Sequence, residues 1–512
     1  MTSDAVGDES TRILRRVATG MRDWDKTMIA LREHIINVCK KYYTATGACQ
    51  LDTPVLELFE MVKNIYGEEF DKSVYLLDEG DLIMRYDLTV PFVRYVTMNC
   101  LKLFRRYQIG KVYRRDRPEL SKGRYCEITQ ADFDIAGSDQ GSGIFDLEIL
   151  QLVQNLLTEL IGDNFIVRLN NRSILQEYLE KMNVPKEMLL TVAATIDKLD
   201  KKSLEEICVE LKEKGVEDKV IGTIQGFIGA ISKILNSSDK IMAFLEKELE
   251  EKIFGKVSDG YEMKSVRDIC LELKEYGTHP TIIAKVRKVD NMHKISVAGV
   301  ILEYLKTEKL ISDETFLKES NFFNRIVKLG IGGVMFDPLL TRGLDYYTAL
   351  IFEVYYNDRE IMPSSICAGG RYDDLIGKFT AHGSCPAVGM SVGVERIVTI
   401  LSELKIPERS EIKIYVASIG SKEKEMEILD ARIMLCNEFR KHNIPTAMSH
   451  LKNPKMGSQM EEILSNNIPY MVVIGSSELK SNTIGIKNIA ESLPQQKFER
   501  EAGIKFLVEK LK

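Results

Sequence analysis

Apolar residues recur at intervals of three and four through Met28, Leu31, Ile35, Val38 and Tyr42, and Gly47 follows. This spacing predicts an amphipathic helix that ends before the glycine. CQLDTPVLE reads as a strand; Pro54 lacks a ladder donor and places it at a sheet edge or an interface. VYLL and LIMRY on either side of DEGD predict a hairpin, and LTVPFVRYVTMNC a short helix with Pro91 near its first turn. LFRRYQIGKVYR and YCEITQADFDIA predict two antiparallel strands joined by the loop RDRPELSKGR.

From about Ser173 to Asn321 the pattern turns Leu/Lys/Glu-rich and helical, as in KSLEEICVELKEKG, and reads as an insertion. Strand patterns return in VMFDPLL, YTALIFEVYY and SSICAGGRYDDL, and AVGMSVGVERIVTILSEL predicts a Gly-rich strand running into a helix. After KIPERSE the chain alternates: IKIYVASI, a helix to about Lys441, IPTAMSHL, a helix to about Asn466, YMVVIG and a final helix. That alternation predicts a small parallel or mixed sheet covered by helices. The expected divisions are therefore a strand-rich domain in two parts (1–172 and 323–406), a helical insertion (173–322) and a C-terminal α/β domain (411–512).

A chain of 512 residues exceeds a single core. Its 44% hydrophobic and 29% charged content excludes collagenous and wholly disordered classes. No apolar run is long enough to span a membrane, and the first residues carry Asp4, Asp8 and Glu9 where a presequence would be basic or apolar; the expected location is the cytoplasm. Nine cysteines without a C-x-x-C pair and six scattered histidines argue against a zinc site and against structural disulfides. The net charge of −6 does not announce a nucleic-acid binder, although residues 411–512 are mildly basic, with 15 basic against 13 acidic side chains. The run from Lys102 to Arg124 is the sharper concentration, with nine basic residues against Asp116 and Glu119. Such a run is usually a solvated face.

Several short segments carry chemistry. Alternation puts Gln130 and Asp134 on one side of a strand, about 13 Å apart. Asp87 and Thr89, at the start of the LTVP helix, present a carboxylate and a hydroxyl either to an ammonium group or simply to the helix N-terminus. Arg114, at a strand end near Glu127 and Gln130, is suited to a phosphate or to a surface ion pair. TRGLDYY holds Arg342, Asp345, Tyr346 and Tyr347; a buried Arg–Asp pair with two core tyrosines accounts for it as well as a ligand does. AGGRYDD lets backbone approach a ligand closely or makes a tight turn, and GMSVGVER places Arg396 at a helix start, where anions are favoured. No P-loop or GxGxxG is present, so any nucleotide site uses an antiparallel sheet.

Together GMRDW, DTPVLE, YRRDRPELSKGRYCEITQADFDI, RGLDYYT, AGGRYDDL, GMSVGVERI and LKNPKMGSQMEEILSNNIPYMVVIG resemble the class II aminoacyl-tRNA synthetases, and most closely the histidyl-tRNA synthetases, over nearly the whole chain. The resemblance implies an α+β catalytic domain, an antiparallel sheet flanked by helices, with a helical insertion and a C-terminal α/β anticodon-binding domain. It implies activation of histidine by ATP, with Mg²⁺ on the β and γ phosphates and no protein-bound structural metal, followed by transfer to tRNA(His). By the same resemblance Arg114, Arg342 and Arg396 are catalytic, and Asp87, Leu88, Thr89, Gln130, Asp134, Tyr346, Tyr347 and Tyr372 bind histidine. Arg114, Asp116, Tyr125, Ile128 and Arg396 bind ATP, Arg115, Arg117, Lys122 and Arg124 reach the acceptor end of the tRNA, and Pro54 with its preceding helix belongs to a homodimer interface.

The sequence departs from the family at three places. RYCEI stands where RYREF or RYRQF is common, so Cys126 replaces an arginine and Ile128 an aromatic, which offers adenine contact without a π-face. TGMRD carries Met21 in place of threonine. The chain begins almost directly at the expected catalytic core, without the N-terminal helical extension of many animal members. Two rival readings are weighed: a synthetase-like regulatory protein that senses histidine or uncharged tRNA, disfavoured by the retained Arg114, Arg342 and Arg396 and the full tail, and a synthetase for threonine, proline or glycine, disfavoured by RGLDYY and AGGRYD.

Overall fold

The computed structural model describes residues 16–66, 68–77, 80–115, 118–200, 202–236, 298–343, 346–379, 385–404, 412–420 and 424–511. Asp116, Arg117, Asp345 and residues 237–297 of the expected insertion lie outside the described residues. The chain divides into two compact units, Met1–Lys405 and Ile406–Lys512.

The strands of the first unit are β1 (Cys49–Gln50), β2 (Leu56–Leu58), β3 (Leu76–Leu77), β4 (Leu82–Met84), β5 (Phe104–Tyr113), β6 (Glu127–Ala136), β7 (Phe165–Asn171), β8 (Val334–Phe336), β9 (Leu350–Tyr356), β10 (Cys367–Arg371) and β11 (Ala387–Gly393). Eight of them form one sheet in the order β1-β5-β6-β11-β10-β9-β7-β8, and β2, β4 and β3 form a small second sheet. The large sheet is antiparallel at its centre and parallel only where β1 meets β5 and β8 meets β7.

The opening helix, Lys26–Ala45, starts where Asp25 accepts the Met28 amide at 2.9 Å, and it buries Ile35, Val38, Cys39 and Tyr43. Its apolar stripe packs with the helices Ile144–Ile161 and Val394–Glu403 on Ala131, Phe133 and Ile135, the core-facing residues of β6. Removing such side chains from water contributes about 1.5–3 kcal/mol each, and this fixes which face of β6 is core. The alternate residues Ile128, Gln130, Asp132 and Asp134 are thereby left to the other face. The LTVP helix runs from Thr89 to Met98, with Pro91 inside its first turn. After β7 the chain is helical, through Arg172–Lys181, Leu189–Ile196, Leu204–Glu213 and Asp218–Asn236, and helical again over 298–307 and Asp313–Lys328.

The second unit has a five-stranded sheet of β12 (Ile414–Ile419), β13 (Thr446–Met448), β14 (Tyr470–Gly475), β15 (Thr483–Asn488) and β16 (Gln496–Glu499), ordered β13-β12-β14-β15-β16. β12 runs parallel to β13 and β14, while β15 and β16 add antiparallel. The sequence reading ends the β alternation at YMVVIG; the two further strands are a correction to it. TIGIKN offers only Ile484 and Ile486 on either side of Gly485, and QKFE a single apolar residue, so pairing of β15 with β14 and of β16 with β15 decides them as strands.

Candidate functional site

Three ladders of cross-strand neighbours build the floor of the site. Arg106, Asp134, Gly389, Gly370 and Ile351 lie on one, and Gln108, Asp132, Ser391, Ala368 and Glu353 on the next. Gly110, Gln130 and Gly393 begin a third. Because alternation sends all of these side chains to the same face, a ridge of polar groups crosses the sheet beneath a cavity of about 660 Å³.

Glycines let the polar groups lie flat on this floor. A Cβ on Gly389 would stand 1.9 Å from Asp134 Oδ1, and one on Gly370 would stand 2.7 Å from the Tyr347 ring. Asp134 is 2% exposed; its Oδ2 is ion-paired with the fully buried Arg106 at 2.7 Å and its Oδ1 accepts the Tyr372 hydroxyl. Burial raises the Asp134 pKa, against the pull of Arg106 and the Tyr372 bond. Asp132 is pushed up to about 7, chiefly by burial, with Arg106 opposing. Asp87 uses Oδ1 to accept the Val90 amide at 3.0 Å and Oδ2 to accept the Tyr66 hydroxyl, so it does serve the helix start while lining the cavity.

The guanidiniums of Arg114, Arg342 and Arg396 line the same cavity. Arg114 lies 4.6 Å over the Tyr86 ring and donates to the Tyr86 carbonyl at 3.1 Å. Arg342 donates to the buried Glu353 at 2.5 Å and stands 3.6 Å from Asp197. Burial works against its charge, but Glu353 and Asp197 outweigh it and hold the group protonated. Arg396 donates to the Ser365 carbonyl from the first turn of the helix after β11. Its pKa falls to about 10, first from burial and then from repulsion by Arg114 and Arg342. An anion among the three would relieve that repulsion.

The cavity brings together Arg114, Arg342, Arg396, Asp87, Thr89, Gln130, Asp134, Tyr346, Tyr347, Tyr372, Tyr125, Ile128 and Arg124. Leu88 is fully buried and does not line it; its carbonyl accepts Arg106 at 2.7 Å. Arg115 is exposed, and Lys122 pairs with Glu119 at 2.6 Å, both outside the cavity lining. Glu127, at the start of β6, pairs with Lys111 at 2.7 Å, while Gln130 lines the cavity with Arg114. The basic run is not merely a solvated face, since Arg106 is wholly interior.

Cys126 does not line the cavity either. It packs on Gly20, whose φ is +78° and where a Cβ would meet its sulfur at 2.3 Å, and its amide donates to the Gly20 carbonyl at 2.8 Å. Tyr125 does line it, held by Arg22 at 3.0 Å and by Trp24, whose ring lies 5.5 Å away.

Arg106, Asp132, Ser391, Glu353 and Tyr66 were not singled out from the sequence. Asp132 shares the alternation that marked Gln130 and Asp134, and Glu353 is the lone charge in the otherwise apolar LIFEVYY; both were findable on that basis. Among the described residues there is no cluster of His, Cys, Asp and Glu that could hold a metal ion, and no helix long and apolar enough to cross a membrane.

The histidyl-tRNA synthetase family profile matches residues 20–276 and 321–397, and an anticodon-binding-domain profile matches 413–510. The histidine–tRNA ligase of Danio rerio is 30% identical over 94% of this chain and 87% of its own length. The cytoplasmic histidine–tRNA ligase of Arabidopsis thaliana is 34% identical over 99% of this chain and 50% of its own. The crystal structure of histidyl-tRNA synthetase from Nostoc sp. shares the fold with a TM-score of 0.65 at 19% identity, covering 97% of this chain and all of the other. Profile, relatives and fold agree along almost the whole length: the chain belongs to the histidyl-tRNA synthetase family.

Proposed function

We propose that this protein is a histidine–tRNA ligase, working in the cytoplasm, that forms histidyl-adenylate from histidine and ATP and passes the histidyl group to the 3′ end of tRNA(His). The observation that carries this reading is one cavity lined both by the buried carboxylates Asp87, Asp132 and Asp134 and by Arg114, Arg342 and Arg396, the first two of which repel the third. The carboxylates suit a cationic amino acid, and the arginines suit a triphosphate.

In the first step a carboxylate oxygen of histidine attacks the α-phosphorus, the bond to the β-phosphate oxygen breaks, and pyrophosphate leaves. Negative charge grows on the α-phosphoryl oxygens, and Arg114 and Arg342 stabilise it from opposite sides. Arg396 holds ATP distal to the α-phosphate, and Tyr125 and Ile128 flank the nucleotide together with Asp116. In the second step a ribose hydroxyl of the terminal adenosine attacks the acyl carbon, loses its proton, and AMP departs. Because Glu353 already accepts from Arg342 and Tyr355, Mg²⁺ fits here as the counter-ion of the β and γ phosphates, held by ATP rather than by a protein carboxylate set.

On the amino-acid side Asp87, Thr89 and Gln130 bind the α-ammonium, with the Leu88 backbone between the first two. Asp134, Tyr346, Tyr347 and Tyr372 surround the imidazole; a substrate without matching donors leaves this polar pocket unpaired, which is how it selects. Arg115, Arg117, Lys122 and Arg124 approach the acceptor end of the tRNA, and residues 411–512 the anticodon. The exposed Val55, Leu56, Leu58, Leu76 and Leu77, around the small sheet and next to Pro54, support a homodimer interface.

Amino-acid-dependent ATP–pyrophosphate exchange across all twenty amino acids tests this. Exchange with histidine alone is the expected outcome; exchange with none, from folded protein, shifts the weight to a regulatory role.

A further inference from the structure

Three carboxylates line the cavity on the amino-acid side, and they are not equivalent. Asp87 has both oxygens hydrogen-bonded, by Val90 and Tyr66, and Asp134 has Oδ1 bonded by Tyr372 and Oδ2 ion-paired with Arg106 at 2.7 Å without a hydrogen bond. Asp132 is 1% exposed, and its Oδ1 has no hydrogen-bond partner. Two residues away on the same face of β6, Gln130 is in the same situation: its Nε2 donates to Ser391 Oγ at 2.8 Å, and its buried Oε1 has no partner. Ser391 stands opposite Asp132 in the ladder and gives its hydroxyl to that carboxylate. The chain Gln130 to Ser391 to Asp132 therefore orients both groups and leaves two buried acceptors, one of them a carboxylate, without donors. A buried acceptor left empty is costly, so the site is built for a donor that arrives with the ligand.

We propose that Asp132, together with Gln130, takes up the α-ammonium of the bound amino acid, and that its carboxylate is a specificity-determining contact for the amino group. The inference rests on the histidine-activating reading and adds a residue to it. An ammonium carries three donors, enough to serve Oδ1 of Asp132 and Oε1 of Gln130 at once, whereas an imidazole N–H serves one.

The groups facing Asp132 are Arg106 and Gln108 from β5, Asp134 from β6, Ser391 from β11, Cys367 from β10, Tyr43 from the opening helix, and Arg85, Asp87 and Tyr346 from the segments around them. Tyr43, Cys367 and Tyr346 are all pushed upward by burial and stay neutral from pH 6 to 8. Asp132 itself, raised to about 7, changes charge in that window. An ammonium favours the ionised form, so the affinity that Asp132 adds is nearly complete at pH 8 and falls about tenfold by pH 6.

The test is calorimetric binding of histidine and of 3-(imidazol-4-yl)propanoate, which lacks the amino group, to the wild type and to Asp132→Asn at pH 6, 7 and 8. Taking the ratio of dissociation constants between variant and wild type cancels the titration of the ligand. The expected ratio for histidine is at least about tenfold at pH 8 and shrinks towards one at pH 6, while the ratio for the amino-free analogue stays near one throughout. A ratio independent of pH, or the same for both ligands, overturns the proposal and leaves Asp132 a structural residue. Should Asp132→Asn not fold, infrared difference spectra of the wild type at pH 6.5 decide. Histidine, and not the analogue, must remove a protonated-carboxyl carbonyl band, and its persistence overturns the proposal. If the wild type binds no histidine at all, the functional reading itself fails, which is a separate result.

Discussion

Two glutamines, Gln459 buried and Gln130 half-buried, contrast the two units of the molecule. Gln459, in the C-terminal unit, accepts the Ser418 amide with Oε1 and returns Nε2 to the Ser418 carbonyl, both at 2.9 Å, so its amide is spent on holding β12 in place. Gln130, in the first unit, is held by Ser391 on one side and leaves its other polar atom unmatched inside a cavity. The same difference runs through the two sheets. β12 and β14 are apolar on both faces, with Ile414, Val416, Val472 and Ile474 in one core and Tyr415, Ala417, Met471 and Val473 in another. β6 and β11 are largely apolar on one face and, with β5, carry Arg106, Gln108, Asp132, Asp134 and Ser391 on the other. A sheet with two apolar faces is a scaffold; one with a polar, partly unmatched face is shaped around something it does not contain.

Substitutions in each region sharpen that contrast. Arg342→Ala removes one of the three cations and strands the buried Glu353, and it is expected to lower histidine-dependent pyrophosphate exchange by about 10³-fold, read as kcat/KM. Leu435→Ala hollows the C-terminal core and is expected to cost about 2–5 kcal/mol in the denaturant unfolding of that unit, with exchange unchanged. An exchange defect as large as that of Arg342→Ala would break the distinction drawn here. Gly389→Ala places a methyl where Asp134 Oδ1 lies, so the carboxylate must turn away; a rise in KM for histidine of about ten- to a hundredfold, with KM for ATP little altered, is the expected split.

The smallest effect tests buried charge away from the cavity. Glu319 is 3% exposed and raised to about 7, first by burial, with Lys318 and the Asn171 bond pulling the other way. A carboxyl raised in the folded state binds its proton more tightly there than when unfolded. Its contribution is therefore present at low pH and is lost as pH rises towards 7. Glu319→Gln keeps an acceptor for Asn171 and removes the titration. Its stability relative to wild type should grow by about 2 kcal/mol between pH 5 and 8 in chemical denaturation.

Much of the architecture was legible in local pattern. The three-and-four spacing after Met28 became the helix Lys26–Ala45, LTVP became the helix from Thr89, and LFRRYQIGKVYR with YCEITQADFDIA became the β5–β6 hairpin. β15 and β16 were not legible, because two apolar residues in TIGIKN and one in QKFE are too few to mark a strand without the neighbour it pairs with. The candidate site was legible in part. Arginines and tyrosines in short motifs stand out, but Arg106 was hidden in a basic run, Asp132 between two marked residues, and Glu353 in an apolar strand.

Period and composition alone determined which segments fold as helices or strands and which face of β6 is apolar, since both depend on residues within a few positions of one another. Only the tertiary structure decided that Arg106, Asp134, Gly389 and Gly370 share a ladder, that Arg114, Arg342 and Arg396 meet in one cavity, and that Asp132 and Gln130 are left without donors. Register between distant strands and the partners available to a buried atom are set by packing of the whole sheet, and no local stretch of sequence contains them.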